Sequence, residues 1–310
     1  MSGPAGHEPP PAGAGEAEVS LARIEAGDIP LSAERRLGEL RESGGSYTSD
    51  LSIADLALCG QAGLRPVSQV MGSSIYQVGY QGGGYGLGAG GAVRIGGGFI
   101  MELETLSAAW NNARRLALGR LEREARLVGA DAVIGVELRT GGRDAGDSLS
   151  SGMIEFSLVG TAVKRAGAVD RATLVLTELS VSDYVKLVSA GIEPAGIVGW
   201  SSAFFATYAF SGGFGMQSGM MASGQNFELR EFTQGFYAAR EQVMGRMGEQ
   251  AERLGASGIV GVRLAHSVGQ MGAGGGQTGL LATFHAIGTA VHDRPDVEPP
   301  APKPTIDVST

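Results

Sequence analysis

Charged side chains, cysteine and histidine are all scarce in this sequence, and each scarcity excludes something. Only 18% of the residues are charged, with 32 Asp and Glu against 24 Lys and Arg, a formal charge of -8. No basic stripe stands out, so binding to nucleic acid through phosphate neutralisation is not expected. The single cysteine, Cys59, excludes an intrachain disulfide and a thiolate metal cage. No histidine or cation flanks it to activate the thiol, so it is expected to pack as a small buried hydrophobe. Apolar runs fall short of the about 18 residues that a membrane-spanning helix needs. Residues 1–17 lack the basic and apolar stretches of a secretory signal, and cytoplasm is the expected location.

Glycine is abundant instead: 52 residues, about twice the usual share. Mean hydropathy is slightly positive. Chains so poor in charge tend to hide surface in contacts with other chains. Residues 1–48 read as a disordered tail with one short helix, Leu31–Arg41, capped by Ser32. Residues 294–310, with five prolines, read as a second tail. Two domains, 49–166 and 177–293, lie between.

These two domains are copies. Gly129-Ala130-Asp131-Ala132-Val133-Ile134-Gly135-Val136 returns 126 residues on as Gly255-Ala256-Ser257-Gly258-Ile259-Val260-Gly261-Val262. Leu51-Ser52-Ile53-Ala54-Asp55 returns 128 residues on as Leu179-Ser180-Val181-Ser182-Asp183, and Gly160-Thr161-Ala162-Val163 as Gly288-Thr289-Ala290-Val291. The length differences fall in loops, as a structural duplication predicts.

Each copy reads as a short capped helix, a strand, a glycine-rich loop, a main helix and two more strands. Ser52 with Asp55, and Ser180 with Asp183, form an Asp variant of the capping box. The main helix carries apolar residues at 103, 106, 110, 113, 117, 121, 125 and 128, and again 126 residues later. Steps of three and four put them on one stripe facing a sheet. In the next strand, alternation predicts Ala132, Ile134, Val136 and Leu138 on one face. A single helix covers one face of such a sheet, so the other face must find a partner.

Three segments carry a resemblance to the YbjQ-type family, whose label is heavy-metal binding: Pro66–Ser74, Leu127–Val136 and Val159–Val163. The second copy resembles it more loosely, with Trp200 in place of a glycine. The resemblance implies an α+β fold of two tandem, dodecin-like β-α-β-β units. It also implies strands of neighbouring subunits completing one another, typically in five-membered rings, and no established reaction.

The residues themselves offer little chemistry. The weak metal candidates are His266 and His285, with a divalent metal as the cofactor they would imply. Antiparallel pairing is expected to place residue 266 near 278 and residue 285 near 259, too far apart for joint ligation. Ser73-Ser74 and Ser201-Ser202 lack a nucleophile elbow, and no nucleophile–base pair suggests an enzyme. The second glycine-rich loop is more telling, because it holds Phe204, Phe205, Tyr208, Phe210, Phe214, Met216, Met220 and Met221. Leaving those in water is costly, so they are expected to meet another subunit, with a membrane as the alternative. Gly119 and Gly245 recur mid-helix, where another backbone is expected to approach. The favoured reading is a non-catalytic, ring-forming scaffold or binding protein whose partner is itself; the alternatives are a heavy-metal-binding protein and a membrane-associated assembly.

Overall fold

A computed structural model describes residues 14–43, 45–77, 93–95, 98–141, 153–166, 174–207, 228, 230–272 and 278–293. The described chain is mixed α and β, with two sheets. The first half runs α1 (Ala14–Glu25), α2 (Leu31–Ser43), α3 (Ile53–Gln61), β1 (Leu64–Gln77), β2 (Val93–Ile95), β3 (Gly98–Glu102) and α4 (Glu104–Leu127). Then come β4 (Ala132–Gly141), β5 (Met153–Arg165), β6 (Val175–Leu176), α5 (Val181–Ser189), β7 (Ile192–Thr207), α6 (Arg230–Arg253), β8 (Gly258–Gly272) and β9 (Thr278–Asp293). The starts of α5 and β7 lie 128 residues after those of α3 and β1, and those of α6 and β8 lie 126 after α4 and β4. The repeat seen in the letters is a repeat of elements.

The first sheet has the order β1-β5-β4-β6, and the second β2-β3-β7-β9-β8. Helix α4 packs on β1 and β5 through its apolar stripe, from Leu103 and Leu106 to Ala125 and Val128, all buried. The approach is close at Gly72, where a Cβ would sit 1.9 Å from the Ala117 carbonyl oxygen. Only glycine fits there. The opposite side of α4 meets the second sheet, whose Ala203, Phe205, Leu281 and Ile287 join the same core. Helix α6 covers the far face of that sheet with Ala239, Val243, Met247 and Ala251. Leu229 lies outside the described residues.

Four features depart from the sequence reading. First, the presumed tail carries α1 and α2, which dock on α4: Ile29 and Leu37 are buried, Arg120 Nε donates to the Asp28 carbonyl, and Arg123 pairs with Asp28 and Glu34. A segment too poor in apolar residues to order alone does so against a helix that offers both core and cations. Residues 1–13 and 294–310 lie outside the described residues. Second, two short strands that the sequence reading lacks, β2 and β3, pair with each other and join the second sheet, and Glu102, expected in the first turn of the main helix, ends β3. In that sheet β3 pairs with β7, Ile100 opposite Ala206 and Met101 opposite Phe205.

Third, β4 does not alternate cleanly. A β-bulge between Ile134 and Glu137, with Gly135 at φ +69°, shifts the register. Val133 and Val136 face α4, while Ala132 and Ile134 face the opposite side. An extra residue re-aims every side chain beyond it. Fourth, β8 and β9 pair Ala265 with His285 and His266 with Phe284. The expected hairpin register was therefore wrong, and the two histidines lie at adjacent rungs on opposite faces.

Candidate functional site at the junction of the two units

The two units meet along a joint made of a strand, a helix face and a polar seam. The strand is β6, the lead into the second unit, which lies parallel to β4. Val175 and Thr177 donate their N–H groups to the carbonyls of Asp131 and Val133 at 3.3 and 2.9 Å. In return, the bulged Gly135 and Val136 donate to Leu179 and Thr177 at 2.9 and 3.0 Å. The bulge thus turns two β4 N–H groups outward to hold the lead. Beneath it, Val175, Leu179, Val181 and Tyr184 close over Ala132, Ile134, Leu64 and Cys59 in one buried cluster. Cys59 packs as expected, and burial pushes its thiol pKa up.

Each lead is also tied to its own unit. Thr177 Oγ1 lies 2.9 Å from Thr289 Oγ1, and the Glu178 N–H donates to Thr289. At the equivalent place in the first unit, Thr161 donates to the Asp50 carboxylate. The Glu178 carboxyl is buried beside Gly261, with Oε2 3.3 Å from Arg263 Nε. Burial raises its pKa to about 7, against the opposing pull of Arg263.

The helix face of the joint is polar. Asn111 on α4 clamps the edge of β7 where its pairing with β3 has ended, donating to the Ser201 carbonyl at 2.7 Å and accepting from the Ser201 N–H at 3.1 Å. Ser107 Oγ accepts from the Ala203 N–H at 3.0 Å. An uncovered strand edge is a liability, and these side chains cover it. His285 lies in the same seam: its Nδ1 is 2.9 Å from Ser201 Oγ and its ring 4.3 Å from that of Trp110. Desolvation lowers its pKa to about 4, so it is neutral near pH 7. Arg114 is buried alongside, 5.9 Å from the Trp200 ring, and desolvation lowers its pKa to about 10.

The remaining candidates are placed as follows. His266 is exposed and lies edge-on to Phe236 at 5.2 Å. Among the described residues no group of three His, Cys, Asp or Glu could hold a metal ion. Phe205, expected at a partner surface, is buried between α4 and the second sheet, and Phe204 packs toward α6. Both continue strand β7 instead of opening the loop. Tyr208, Phe210, Phe214, Met216, Met220 and Met221 lie outside the described residues. Gly119 and Gly245 are exposed, with nothing within 4 Å of an added Cβ, so no backbone of another described element approaches them. No described helix is long and apolar enough to cross a membrane.

Sequence reasoning missed Tyr47, Ile53 and Leu56, which lead into the first unit as Val175, Val181 and Tyr184 lead into the second. The signal was present, since Leu51–Asp55 and Leu179–Asp183 are the same motif. Only the structure separates them: Val181 is 2% exposed and Ile53 90%.

Comparison with known proteins bears on what this arrangement serves. The family described as "Putative heavy-metal-binding" (YbjQ) matches residues 90–166 and 213–294, about half of the chain. A protein of Mycobacterium tuberculosis named "Encapsulin nanocompartment protein Rv1762c" is 34% identical over 267 residues, covering 84% of this chain and 90% of that one. The Pyrococcus furiosus "UPF0145 protein PF1756" is 42% identical over 64 residues, 21% of this chain and 49% of that one. No solved structure matches. With two matched regions in the two repeated units, the chain belongs to the YbjQ family.

Proposed function

We propose that this protein is a non-catalytic, self-assembling scaffold or binding protein, with ring formation as its expected mode. The observation that carries the reading is the distribution of exposed apolar side chains in a chain so poor in charge. Ile53 and Leu56 on α3, Met71 and Ile75 on β1, Tyr237 on α6, and Leu264 and Val268 on β8 all stand in solvent. Each such side chain, once buried, contributes about 1.5–3 kcal/mol, and apolar side chains left in solvent on a chain so poor in charge favour contact with a second chain. The Mycobacterium relative named for a nanocompartment is consistent with an assembling protein. Size-exclusion chromatography with light scattering tests the proposal: a defined oligomer is expected, and a monomer at every concentration overturns it.

The family description supports a second reading, heavy-metal binding. His266 and His285 point to opposite faces of the second sheet, so a shared metal would need donors from another chain. Titration with zinc, copper and nickel should then show saturable binding that is lost in His266→Ala. Absence of binding removes this reading.

A further inference from the structure

The joint between the two units is also a template for a joint between two chains. We infer that the Tyr47–Leu56 lead of one copy adds to the outer edge of β8 in a second copy, reproducing the β6–β4 joint. This rests on the self-assembly reading and names its interface.

Both halves of the joint recur in the chain, and among the described residues neither is paired with a further strand, although the side chains of Glu178 and Leu179 lie beside Gly261. The outer edge of β4 is paired with β6, whereas no described strand pairs with the outer edge of β8. Yet β8 carries the same bulge, between Val260 and Arg263, with Gly261 at φ +67°. A bulge at this place in β4 serves to turn the Gly135 and Val136 N–H groups toward the lead. In β8 the corresponding groups are those of Gly261 and Val262. Repeating the offsets, they would donate to the carbonyls of Leu51 and Ser49 in the second copy. The Tyr47 and Ser49 N–H groups would donate to the carbonyls of Ser257 and Ile259.

Exposure tells the same story from the side chains. Val175, Val181 and Tyr184, seated in the internal joint, are 8%, 2% and 3% exposed. Their counterparts Tyr47, Ile53 and Leu56 are 44%, 90% and 41% exposed. Ile134 is wholly buried, while its counterpart Val260 is only half-buried. The Thr161–Asp50 bond already holds the free lead on its own unit, as Thr289 holds Thr177 and Glu178.

A second contact follows from the same rigid-body operation. The α4 face that meets the second sheet has Asn111 and Arg114 buried; the equivalent Tyr237 and Arg240 on α6 are exposed. The sheet face that receives α4 contains Gly199 and Ala203, both buried; the equivalents Met71 and Ile75 are exposed. One movement of a second copy would cover the lead, the β8 edge, the α6 face and the β1 face together. The contact is heterologous, head to tail, and its repetition gives a closed ring or an open filament according to whether the rotation closes.

Two measurements test this on the full chain. Tyr47→Cys and Gly258→Cys are placed in separate Cys59→Ala chains; an added Cβ at 258 meets nothing nearer than Val291 at 3.9 Å. Oxidation should join the two chains only when they are mixed. Ile53→Asp with Leu56→Asp should block the lead, and Val260→Asp should block the edge, with each protein alone running as a monomer. Mixed, the two blocked proteins should form a 1:1 dimer and nothing larger, because one sound joint remains. Circular dichroism confirms that each variant is folded. If the wild type assembles while the blocked variants keep its size and the cysteines do not join, this joint is wrong and the scaffold reading stands. If the wild type is a monomer throughout, both fall.

Discussion

In the first unit, α4 is covered by its own sheet on one side and by the second unit's sheet on the other, and its whole apolar stripe is buried. In the second unit, the same stripe on α6 buries Ala239, Val243, Met247 and Ala251 but leaves Leu254 45% exposed. The β4 edge is capped by β6, and no described strand caps the β8 edge. Two nearly identical cores therefore live in different surroundings. The difference lies in what each unit has for a neighbour, and it teaches that equivalent surfaces of two copies need not be equally covered.

Substitutions at equivalent positions can break or sharpen this contrast. The largest effect is expected at Gly72, whose place is taken by Trp200 in the second unit. Gly72→Ala forces a Cβ into the α4 backbone, which has no side chain to move aside, so a loss of more than about 4 kcal/mol is expected in denaturant unfolding. A small loss would mean that α4 sits farther from β1 than described.

Next come the two bulge neighbours. Ile134→Ala should destabilise by about 2–5 kcal/mol because it opens a cavity inside the filled joint. Val260→Ala should lose about 1 kcal/mol or less in the dilute chain, since its side chain is only half-buried. Its effect should grow with protein concentration if the β8 edge is occupied in the assembly. Equal, concentration-independent losses at both sites would remove the contrast.

Two buried titratable groups at the joint should give opposite pH slopes. Glu178 titrates in the folded chain at about 7, above its usual 4.5, so the folded state binds more protons and stability falls as pH rises through that window. His285 titrates at about 4, below its usual 6.5, so stability falls as pH drops through that range. The two oppose each other where the windows overlap. Glu178→Gln should raise the Tm at pH 8 and leave a chain that only loses stability on acidification. His285→Gln should show the reverse slope. Unchanged Tm–pH profiles would show that neither group is desolvated.

The smallest effect is expected in the helices. Gly119→Ala and Gly245→Ala should each stabilise the chain by about 0.5–1 kcal/mol, because the added methyl has open space. If Gly245→Ala instead weakens assembly, another chain's backbone approaches α6 there. If both merely stabilise, the glycines mark no contact.

Much of this architecture was legible in the letters. Periodicity over 24 residues gave α4 and α6, because a stripe at helical spacing is a local signal. The caps at Ser52 and Ser180 were equally local, and both serines accept from the N–H three residues on. The bulge was not legible: Ala132, Ile134 and Val136 look like one face, and nothing local shows that Gly135 adds a residue. Strand β6 is two residues long and β3 five, too short to register as patterns. Both exist because the other unit supplies their partners. The aromatic loop drew attention by composition, yet Phe205 proved to be core. The candidate site lay instead in a short motif already recognised as repeated.

What the sequence determined by itself is the duplication, the order of elements in each unit and the apolar stripe that joins helix to sheet. These depend on near neighbours along the chain, so spacing encodes them. What only the tertiary structure decided is which copy of each surface is used. Ile53 and Val181 are interchangeable as letters, as are the bulges at Gly135 and Gly261. Whether each is buried depends on the one other unit that reaches it, a long-range fact that no local pattern carries.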